Sequence, residues 1–229
     1  MWLYKKTKNH MMHHKKTELK NLVFFYYYSR EWFTKNNSVV FFIKIIITKL
    51  VLFLFSSQMA QQNTALVLIG LQELWRNKKS DYYLRNMDGL IDRACYLIQY
   101  AREMGYKIIF IRHTEKEWPF SDKSPFSQLI EDLCPQPEDI IITKTKISSF
   151  YKTELEQELQ WIKNIVVAWI PTNLCVRMFV EEAYDREFNI ALIEDICQTY
   201  NEKLQDFTLD DLNESRPDLD VVRLETFLW

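Results

Sequence analysis

The stretch Thr64-Ala-Leu-Val-Leu-Ile69 is an almost uninterrupted apolar run. A strand that is buried on both faces has such a sequence, and this burial is typical of parallel sheets covered by helices. The run therefore predicts a central strand of an α/β sheet.

The rest of the chain after this strand alternates between further strand and helix patterns. Apolar residues recur at spacings of three and four over residues 83–104, which predicts an amphipathic helix, and Gly105 follows as its stop. Further strands are predicted at 107–111, 139–143, 164–169, 189–194 and 220–224, and further helices at 126–133, 153–161, 173–186 and 206–213. In the helix at 153–161, Thr153 and Glu156 have the spacing of a capping box. This order predicts a three-layer α/β/α, Rossmann-like fold with a mainly parallel sheet of about six strands.

Composition excludes several classes of functional site. The 229 residues contain only three glycines, Gly70, Gly89 and Gly105, and these lie too far apart to share a short motif. A phosphate-binding loop, a dinucleotide-binding turn and a G-x-S-x-G nucleophile elbow are therefore absent. Residues 59–229 carry a net charge of −10, which argues against nucleic acid as a partner.

The first 58 residues differ from the rest of the chain. They contain no Gly, Pro, Ala, Asp or Cys, and their net charge is +8. Residues 39–55 form an apolar run interrupted by Lys44 and Lys49, so a membrane attachment is one interpretation, although each central lysine disfavours insertion. A structured extension or a signal is a second interpretation. The third is that this segment lies outside the functional protein, which then starts at Met59.

The cysteines and histidines indicate the cellular compartment and whether the protein can bind a metal. Cys95, Cys134, Cys175 and Cys197 are scattered and form no C-x-x-C pair, which suits a reducing cytoplasm and argues against a zinc ribbon. His113 is the one histidine beyond the first 14 residues. We therefore predict a cytoplasmic protein with no metal and no cofactor.

Three stretches, each at or just after the end of a predicted strand, match a set of sequence motifs. Thr64-Ala-Leu-Val-Leu-Ile-Gly-Leu-Gln72 resembles T-A-L-L-V-I-D-x-Q, and Lys144-Thr-Lys-Ile-Ser-Ser-Phe150 is similar to K-x-x-x-S-A-F. Ile170-Pro-Thr-Asn-Leu-Cys175 resembles G-[VI]-x-T-N-x-C, with Trp169 in place of the glycine. With these three motifs in this order, the chain resembles the isochorismatase-like cysteine hydrolases. The order is specific for that family and says nothing about the substrate.

The resemblance implies an Asp–Lys–Cys catalytic trio, of which this chain keeps two members. Cys175 is implied as the nucleophile on an amide or similar carbonyl, and Lys144 as its partner. With Asn173 as N-cap, Cys175 is expected in the first helical turn, where the helix dipole favours a thiolate. Gly70 stands where the family has its Asp. Because relatives carry Asp there, the strand end is expected to accept this side chain, and Gly70→Asp to raise activity.

Pro171 is the second departure from the family pattern. A cis peptide is usual before this position in the family, and a proline makes a cis bond easier to form. Proline has no N–H, however, so one of the two oxyanion donors that the resemblance implies is missing. Loss of one such donor typically lowers the rate by about 10²–10³.

Two functions remain open. The first is a hydrolase of a small amide, ureide or ester that is impaired or altered; the second is a non-catalytic relative that binds a ligand or self-associates. The nicotinamidase branch uses an Asp-x-His pair and a further His for its metal, so that activity is disfavoured here. The chain is expected to form a homo-oligomer, a dimer or a tetramer, and to contact no membrane unless residues 39–55 insert. The residues predicted to bind substrate are Gln72, His113, Phe150, Ile170, Pro171 and Thr172.

Overall fold

The computed structural model describes residues 63–229, which contain a six-stranded sheet. All neighbouring strands are parallel, and their order across the sheet is β3-β2-β1-β4-β5-β6. The predicted α/β fold with a mainly parallel sheet of about six strands is confirmed. The strands are β1 (Thr64–Ile69), β2 (Lys107–His113), β3 (Ile140–Lys144), β4 (Asn164–Trp169), β5 (Asn189–Ile193) and β6 (Leu219–Val222).

The strand order places the ends of β1 and β4 at the centre of the sheet. β1 is flanked by β2 and β4, and every residue of β1 is buried, as its apolar sequence predicted. The chain leaves β1 towards one edge and returns through β4 towards the other. Ligands of such sheets bind beyond the carboxyl ends of the strands where the order reverses, which here is between β1 and β4.

Residues 63–229 also contain five α-helices. They are α1 (Met87–Glu103), α2 (Leu155–Glu158), α3 (Arg177–Asp185), α4 (Glu202–Ser215) and α5 (Leu224–Leu228). Parallel strands are joined by right-handed crossovers, so the segments before and after the β1–β4 reversal cover opposite faces of the sheet. The buried side of α1, including Leu90, Ala94 and Leu97, joins the core that the strands form.

The helix predicted at residues 126–133 is wrong. Two short 3₁₀ turns, Pro125–Ser127 and Glu131–Leu133, stand there instead. Between them Leu129 forms an antiparallel bridge to Gln72, and the Ile130 N–H donates to the Leu71 carbonyl. The main chain is thus extended by pairing with the segment after β1, a partner that local sequence does not reveal.

The predicted helices at 153–161 and 83–104 are both too long, and the capping box is wrong. α2 begins at Leu155, and the Thr153 hydroxyl donates to the Ser149 carbonyl at 2.6 Å. Glu156 contacts Arg186 instead of reaching back to a main-chain N–H. α1 begins only at Met87, because Asn86 adopts a left-handed conformation with φ of 59°. Gly105, with φ of 67°, follows the end of α1 as predicted.

The C-terminal elements depart from the prediction at their ends. α4 starts several residues earlier than the predicted 206–213, because the Asn201 side chain accepts from the Lys203 and Leu204 N–H groups. β6 ends at Val222, and the Asp195 carboxylate accepts from the Leu224 N–H where α5 starts. The residues 223–224 assigned to the last strand therefore lie outside it.

The predicted boundary near residue 58 falls outside the described residues, as do the interpretations of residues 39–55. They stay predictions. Among the helices of residues 63–229, none is long and apolar enough to cross a bilayer.

Candidate active site

Cys175 and Lys144 meet at the carboxyl edge of the sheet. Lys144 is the last residue of β3, and Cys175 lies in the turn that follows β4. Their Nζ and Sγ atoms are 3.1 Å apart, although 31 residues separate them in the sequence. The structure therefore brings together the two residues that the sequence singled out as nucleophile and partner.

The Lys144 ammonium is held in one position. Its side chain is almost fully buried, with a residue exposure of 1%. Its Nζ donates to the carbonyls of Lys146 and Ile147 at 2.8 and 2.9 Å, and its third contact is the Cys175 sulfur. An ammonium has three protons, so these three partners use its whole donor capacity. The two carbonyls thus aim the charge at the sulfur.

The turn that carries Cys175 differs from the predicted helix start. Residues Thr172–Val176 form a π-helical turn that runs directly into α3. Asn173 lies inside this turn, and its Oδ1 accepts from the Thr199 hydroxyl at 2.6 Å. The expectation that Asn173 is the N-cap is therefore wrong, because its side chain is used to tie the turn to the segment after β5.

The backbone before this turn has an unusual conformation. The Ile170–Pro171 peptide is cis, as expected, and Trp169 has a φ of 128°. That value lies in a region that favours glycine, the residue of the resembling motif at this position. The Trp169 side chain is nevertheless fully buried in the core.

Gly70 has no room for a side chain. Its φ is 78°, and a Cβ built on it lies 2.4 Å from the Ile170 carbonyl oxygen. Real Cβ atoms essentially never approach a main-chain atom so closely, and a positive φ disfavours any other residue. The expectation that the end of β1 accepts an Asp side chain is therefore wrong for this backbone.

His113 ends β2 beside Lys144, its register partner on β3. Its Nε2 lies 2.9 Å from a Glu115 carboxylate oxygen, while its buried Nδ1 has no hydrogen-bond partner. Burial lowers the pKa of His113 and the Lys144 charge adds to this, although Glu115 acts in the opposite direction. The neutral imidazole is therefore favoured next to the Lys144 ammonium.

The side-chain amide of Gln72 is hydrogen-bonded to main-chain atoms. Its Nε2 donates to the carbonyls of His113 and Ser127, and its Oε1 accepts from the His113 N–H. The amide thereby joins the end of β1 to the end of β2, with a residue exposure of 1%. A bond between the Nε2 group and a ligand would have to replace one of these contacts.

The remaining residues predicted to bind substrate lie in two places. Ile170, Pro171 and Thr172 are buried in the turn between β4 and Cys175, and the Thr172 hydroxyl has no partner. Phe150 stacks on Phe179 with ring centroids 5.6 Å apart, and it packs into the core. Whether any of them touches a substrate stays a prediction.

Two of the other three cysteines, Cys95 and Cys197, have environments that disfavour the thiolate. Burial raises the pKa of Cys197 to about 12. Burial also raises the pKa of Cys95, with smaller contributions from Cys134 and two aspartates. Cys134 is exposed. No other cysteine in residues 63–229 is hydrogen-bonded to a lysine, so Cys175 has a distinct setting.

Metal ligands are not grouped within the described residues. Among residues 63–229, no three His, Cys, Asp or Glu side chains are placed to hold an ion. His113, the one histidine among residues 63–229, interacts with Glu115 instead. The absence of a metal from the function stays a prediction.

Trp75 and Tyr200 were missed by the sequence analysis. Trp75 lies in a 3₁₀ turn just after β1, and its Nε1 is 4.0 Å from the Cβ position built on Gly70. Tyr200 follows β5, and its ring lies 6.1 Å from the Trp75 ring. The signal available in the sequence was only that each follows a strand closely, as many loop residues do.

Comparison with known proteins shows which family this chain is similar to. A sequence model described as the isochorismatase domain matches residues 64–218. An uncharacterised isochorismatase family protein, YrdC of Bacillus subtilis (strain 168), is 28% identical over 152 residues, which cover 65% of this chain and 80% of that one. Ureidoacrylate amidohydrolase RutB of Agrobacterium fabrum is 35% identical over 69 residues, covering 29% of this chain and 30% of that one. A crystal structure of a cysteine hydrolase from Pseudomonas syringae pv. phaseolicola has a similar fold, with a TM-score of 0.67 at 19% identity, covering 73% of this chain and 92% of that one.

Proposed function

The chain belongs to the isochorismatase family of hydrolases, and on that premise we propose that it cleaves the C–N bond of a small amide or ureide, or an ester, through Cys175. The contact of 3.1 Å between Lys144 Nζ and Cys175 Sγ carries this proposal. The amidohydrolase name of the Agrobacterium fabrum relative supports the choice of bond.

The buried ammonium prepares the nucleophile. A thiolate is the reactive form of cysteine, and a positive charge beside the sulfur stabilises it. Water screens this attraction little, because Lys144 is buried. The Lys144 ammonium is therefore placed to stabilise the thiolate from which Cys175 attacks a carbonyl carbon.

In the first half of the reaction, Sγ attacks the carbonyl carbon and the C–N bond breaks. The leaving nitrogen takes a proton from the Lys144 ammonium, which leaves a thioester and a neutral amine on Lys144. In the second half, water attacks the thioester and gives a proton to Lys144 as the thiolate departs. The net reaction is the addition of water across the C–N bond, and the pair returns to its starting state.

Two features make a slow enzyme the expected outcome. Among residues 63–229, no carboxylate forms a hydrogen bond with Lys144 or Cys175, so no separate proton shuttle assists the pair. Pro171 also has no N–H to offer an oxyanion. These same features favour the second candidate function, a non-catalytic protein that binds a ligand or self-associates.

A turnover assay decides between the two. The full chain is incubated with a panel of small amides, ureides and esters, and the released amine, ammonia or alcohol is measured. Release above the level of Cys175→Ala is expected, while Cys134→Ala should match the wild type because Cys134 is exposed and lies outside this pair. Equal rates for wild type and Cys175→Ala across the panel would favour the non-catalytic function.

We also propose that the protein acts in the cytoplasm on a small molecule and self-associates. The four cysteines are all free, which suits a reducing compartment. Size-exclusion chromatography with light scattering tests the association, and a monomer at all concentrations would contradict it.

A further inference from the structure

The Lys144 nitrogen is held so that one of its three hydrogen-bonding directions points at the Cys175 sulfur. The carbonyls of Lys146 and Ile147 accept from Nζ at 2.8 and 2.9 Å, and Sγ lies 3.1 Å away in the third direction. A neutral lysine amine has two N–H groups and one lone pair. Because carbonyl oxygens can only accept, they keep the two N–H groups, and the lone pair faces Sγ. Loss of one proton therefore turns Lys144 into a nucleophile that is aimed at the sulfur.

Oxidation of the sulfur favours the loss of that proton. The Lys144 ammonium stabilises the Cys175 thiolate, and the thiolate in turn supplies the negative charge beside it. A sulfenic acid, the first oxidation product of a thiolate, is neutral and removes this charge. Among residues 63–229, no carboxylate is hydrogen-bonded to Lys144 to replace it. Because a buried charge without an opposite charge is costly, the neutral amine becomes the favoured form once Cys175 is oxidised.

An oxidant reaches the sulfur from the side away from Lys144. The Lys144 side chain is almost fully buried, whereas Cys175 is only half-buried and meets solvent on its open side. An oxygen atom that arrives from solvent is therefore bonded to Sγ on the side away from Nζ. A nucleophile displaces a leaving group from sulfur along the line of the bond that breaks. The nitrogen and the oxygen thus stand on opposite sides of the sulfur, as this displacement requires.

We propose that Cys175 and Lys144 form an oxidative modification site, in which hydrogen peroxide joins Sγ to Nζ through a sulfenamide bond. The thiolate attacks one peroxide oxygen, so that an S–O bond forms, the O–O bond breaks and the sulfur gives up two electrons. The hydroxide released takes a proton from the Lys144 ammonium. Nζ then attacks the sulfur, the S–N bond forms and the S–O bond breaks, and the departing hydroxide takes a second proton from the nitrogen. One thiolate, one ammonium and one hydrogen peroxide thus give the S–N link and two waters.

The link is reversible and protects the sulfur. A sulfenic acid that is not captured reacts with more peroxide to a sulfinic acid, which ordinary thiols do not reduce. Two thiol groups reduce the sulfenamide, which restores the Cys175 thiol and the Lys144 amine and leaves a disulfide of the reductant. The inference rests on the proposed function for one statement, that the link switches off hydrolysis. The link itself is a change in mass, and its detection needs no turnover.

Mass spectrometry of the oxidised full chain tests the inference. The protein is treated with hydrogen peroxide at neutral pH and cleaved before its aspartates without prior reduction. This cleavage releases residues 139–184 as one peptide, in which Cys175 is the one cysteine, so no disulfide can form inside it. We expect this peptide to be lighter by about 2 Da and to return to its original mass with dithiothreitol. Trypsin should then cut after Lys146 and Lys163 and leave the fragments joined through Lys144 and Cys175.

Two comparisons separate the nitrogen nucleophile from the positive charge. Lys144→Arg keeps a charge beside the sulfur, but a guanidinium has no free lone pair for the attack. After peroxide and then dithiothreitol, the fraction of Cys175 recovered as free thiol should be about fivefold lower than in wild type, because the sulfur proceeds to sulfinic acid. Lys146→Arg keeps the carbonyl that orients Nζ and should form the link as wild type does. In the same samples, the exposed Cys134 should gain oxygen, since no lysine of residues 63–229 is hydrogen-bonded to its sulfur.

The wild-type peptide alone can overturn the inference, whether or not the arginine variant folds. A 139–184 peptide that gains oxygen and never becomes lighter by about 2 Da contradicts the link. The same loss of mass in Lys144→Arg also contradicts it, because another residue would then be the partner of Cys175. Turnover of an amide without the link overturns the inference alone. The link in a chain that hydrolyses nothing in the panel overturns the proposed function alone.

Discussion

The two halves of the site differ in how their polar groups are satisfied. In the Lys144–Cys175 half, each of the three ammonium protons has a partner, and the sulfur is one of them. In the Gly70–Pro171 half, Gly70 has no side chain and Pro171 has no N–H. Trp75 Nε1 and Thr172 Oγ1, which lie in the same half, have no hydrogen-bond partner. The first half is complete by itself, whereas the second has hydrogen bonds left to make.

The difference concerns where the site has side chains that can take part in chemistry. A lysine ammonium that donates to a cysteine sulfur can activate it as a nucleophile, and Lys144 makes this contact with Cys175 without a ligand. A backbone that approaches another backbone as closely as Gly70 approaches Ile170 leaves room for no catalytic side chain. Chemistry at that end must therefore come from the substrate or from neighbouring residues such as Trp75.

Gly70→Ala should have the largest effect of the substitutions that test this comparison. Its Cβ would occupy the narrow space between Gly70 and the Ile170 carbonyl. The new Cβ would stand 2.4 Å from the Ile170 carbonyl oxygen at a φ of 78°. Strain and overpacking together should lower the free energy of unfolding by about 3 kcal/mol or more. Urea denaturation followed by circular dichroism measures the loss.

Gly89→Ala is the matched control for that substitution. Gly89 lies in α1, and a Cβ there meets only Arg93 Nη1 at 3.7 Å, an ordinary contact. The control should gain about 0.5–1 kcal/mol, because alanine is the better helix former. Equal stabilities for the two variants would show that the end of β1 is not closed to side chains.

Lys144→Met tests whether the ammonium activates the sulfur. Methionine has a similar length and keeps the site filled, but it removes the positive charge. Alkylation of Cys175 by iodoacetamide at neutral pH should slow by about tenfold or more, since the thiolate is the reactive species. Mass spectrometry of the adducts gives the rate at each cysteine.

Other residues supply the references for the alkylation experiment. The exposed Cys134 is the internal standard, and Cys197, with its pKa of about 12, should stay unmodified. Lys146→Met should leave the rate unchanged, because Lys146 contributes only its main-chain carbonyl to Lys144. If Cys95 or Cys197 reacts faster than Cys175 in wild type, Cys175 is the wrong nucleophile.

His113→Gln should have the smallest effect, and one confined to acid pH. The pKa of His113 is lowered from 6.5 in the folded chain, so below that value the unfolded chain binds the proton more readily. Wild-type stability should therefore fall as the pH drops below 6.5, and His113→Gln should lose this part of the fall. Urea midpoints at pH 7 and pH 5 measure it.

The other histidines do not confuse this comparison. His10, His13 and His14 are present in both proteins, so their contribution cancels in the difference. Parallel pH profiles for the two proteins would mean that His113 is as easily protonated folded as unfolded. The lowering of the His113 pKa by burial and by the Lys144 charge would then be no larger than the opposing effect of Glu115.

The central strands were predictable because their signal is local. β1 and β4 have the predicted ends, since five consecutive apolar residues in each favour a strand that is buried on both faces of a parallel sheet. The helix prediction for residues 126–133 failed because the main chain of this segment pairs with residues 71–73. The N-cap prediction for Asn173 failed for a related reason, since its side chain is hydrogen-bonded to Thr199 in another loop.

By itself the sequence determined the alternation of strands and helices, the carboxyl edge as the location of the site, and Cys175 and Lys144 as its central pair. These follow from periodicity and from motifs that each lie within a few residues. Only the tertiary structure decided that the Ile170 carbonyl closes the space at Gly70 and that the Trp75 indole faces that position without a partner. The contact between Gly70 and Ile170 joins residues about 100 positions apart, and its distance depends on how the whole core packs.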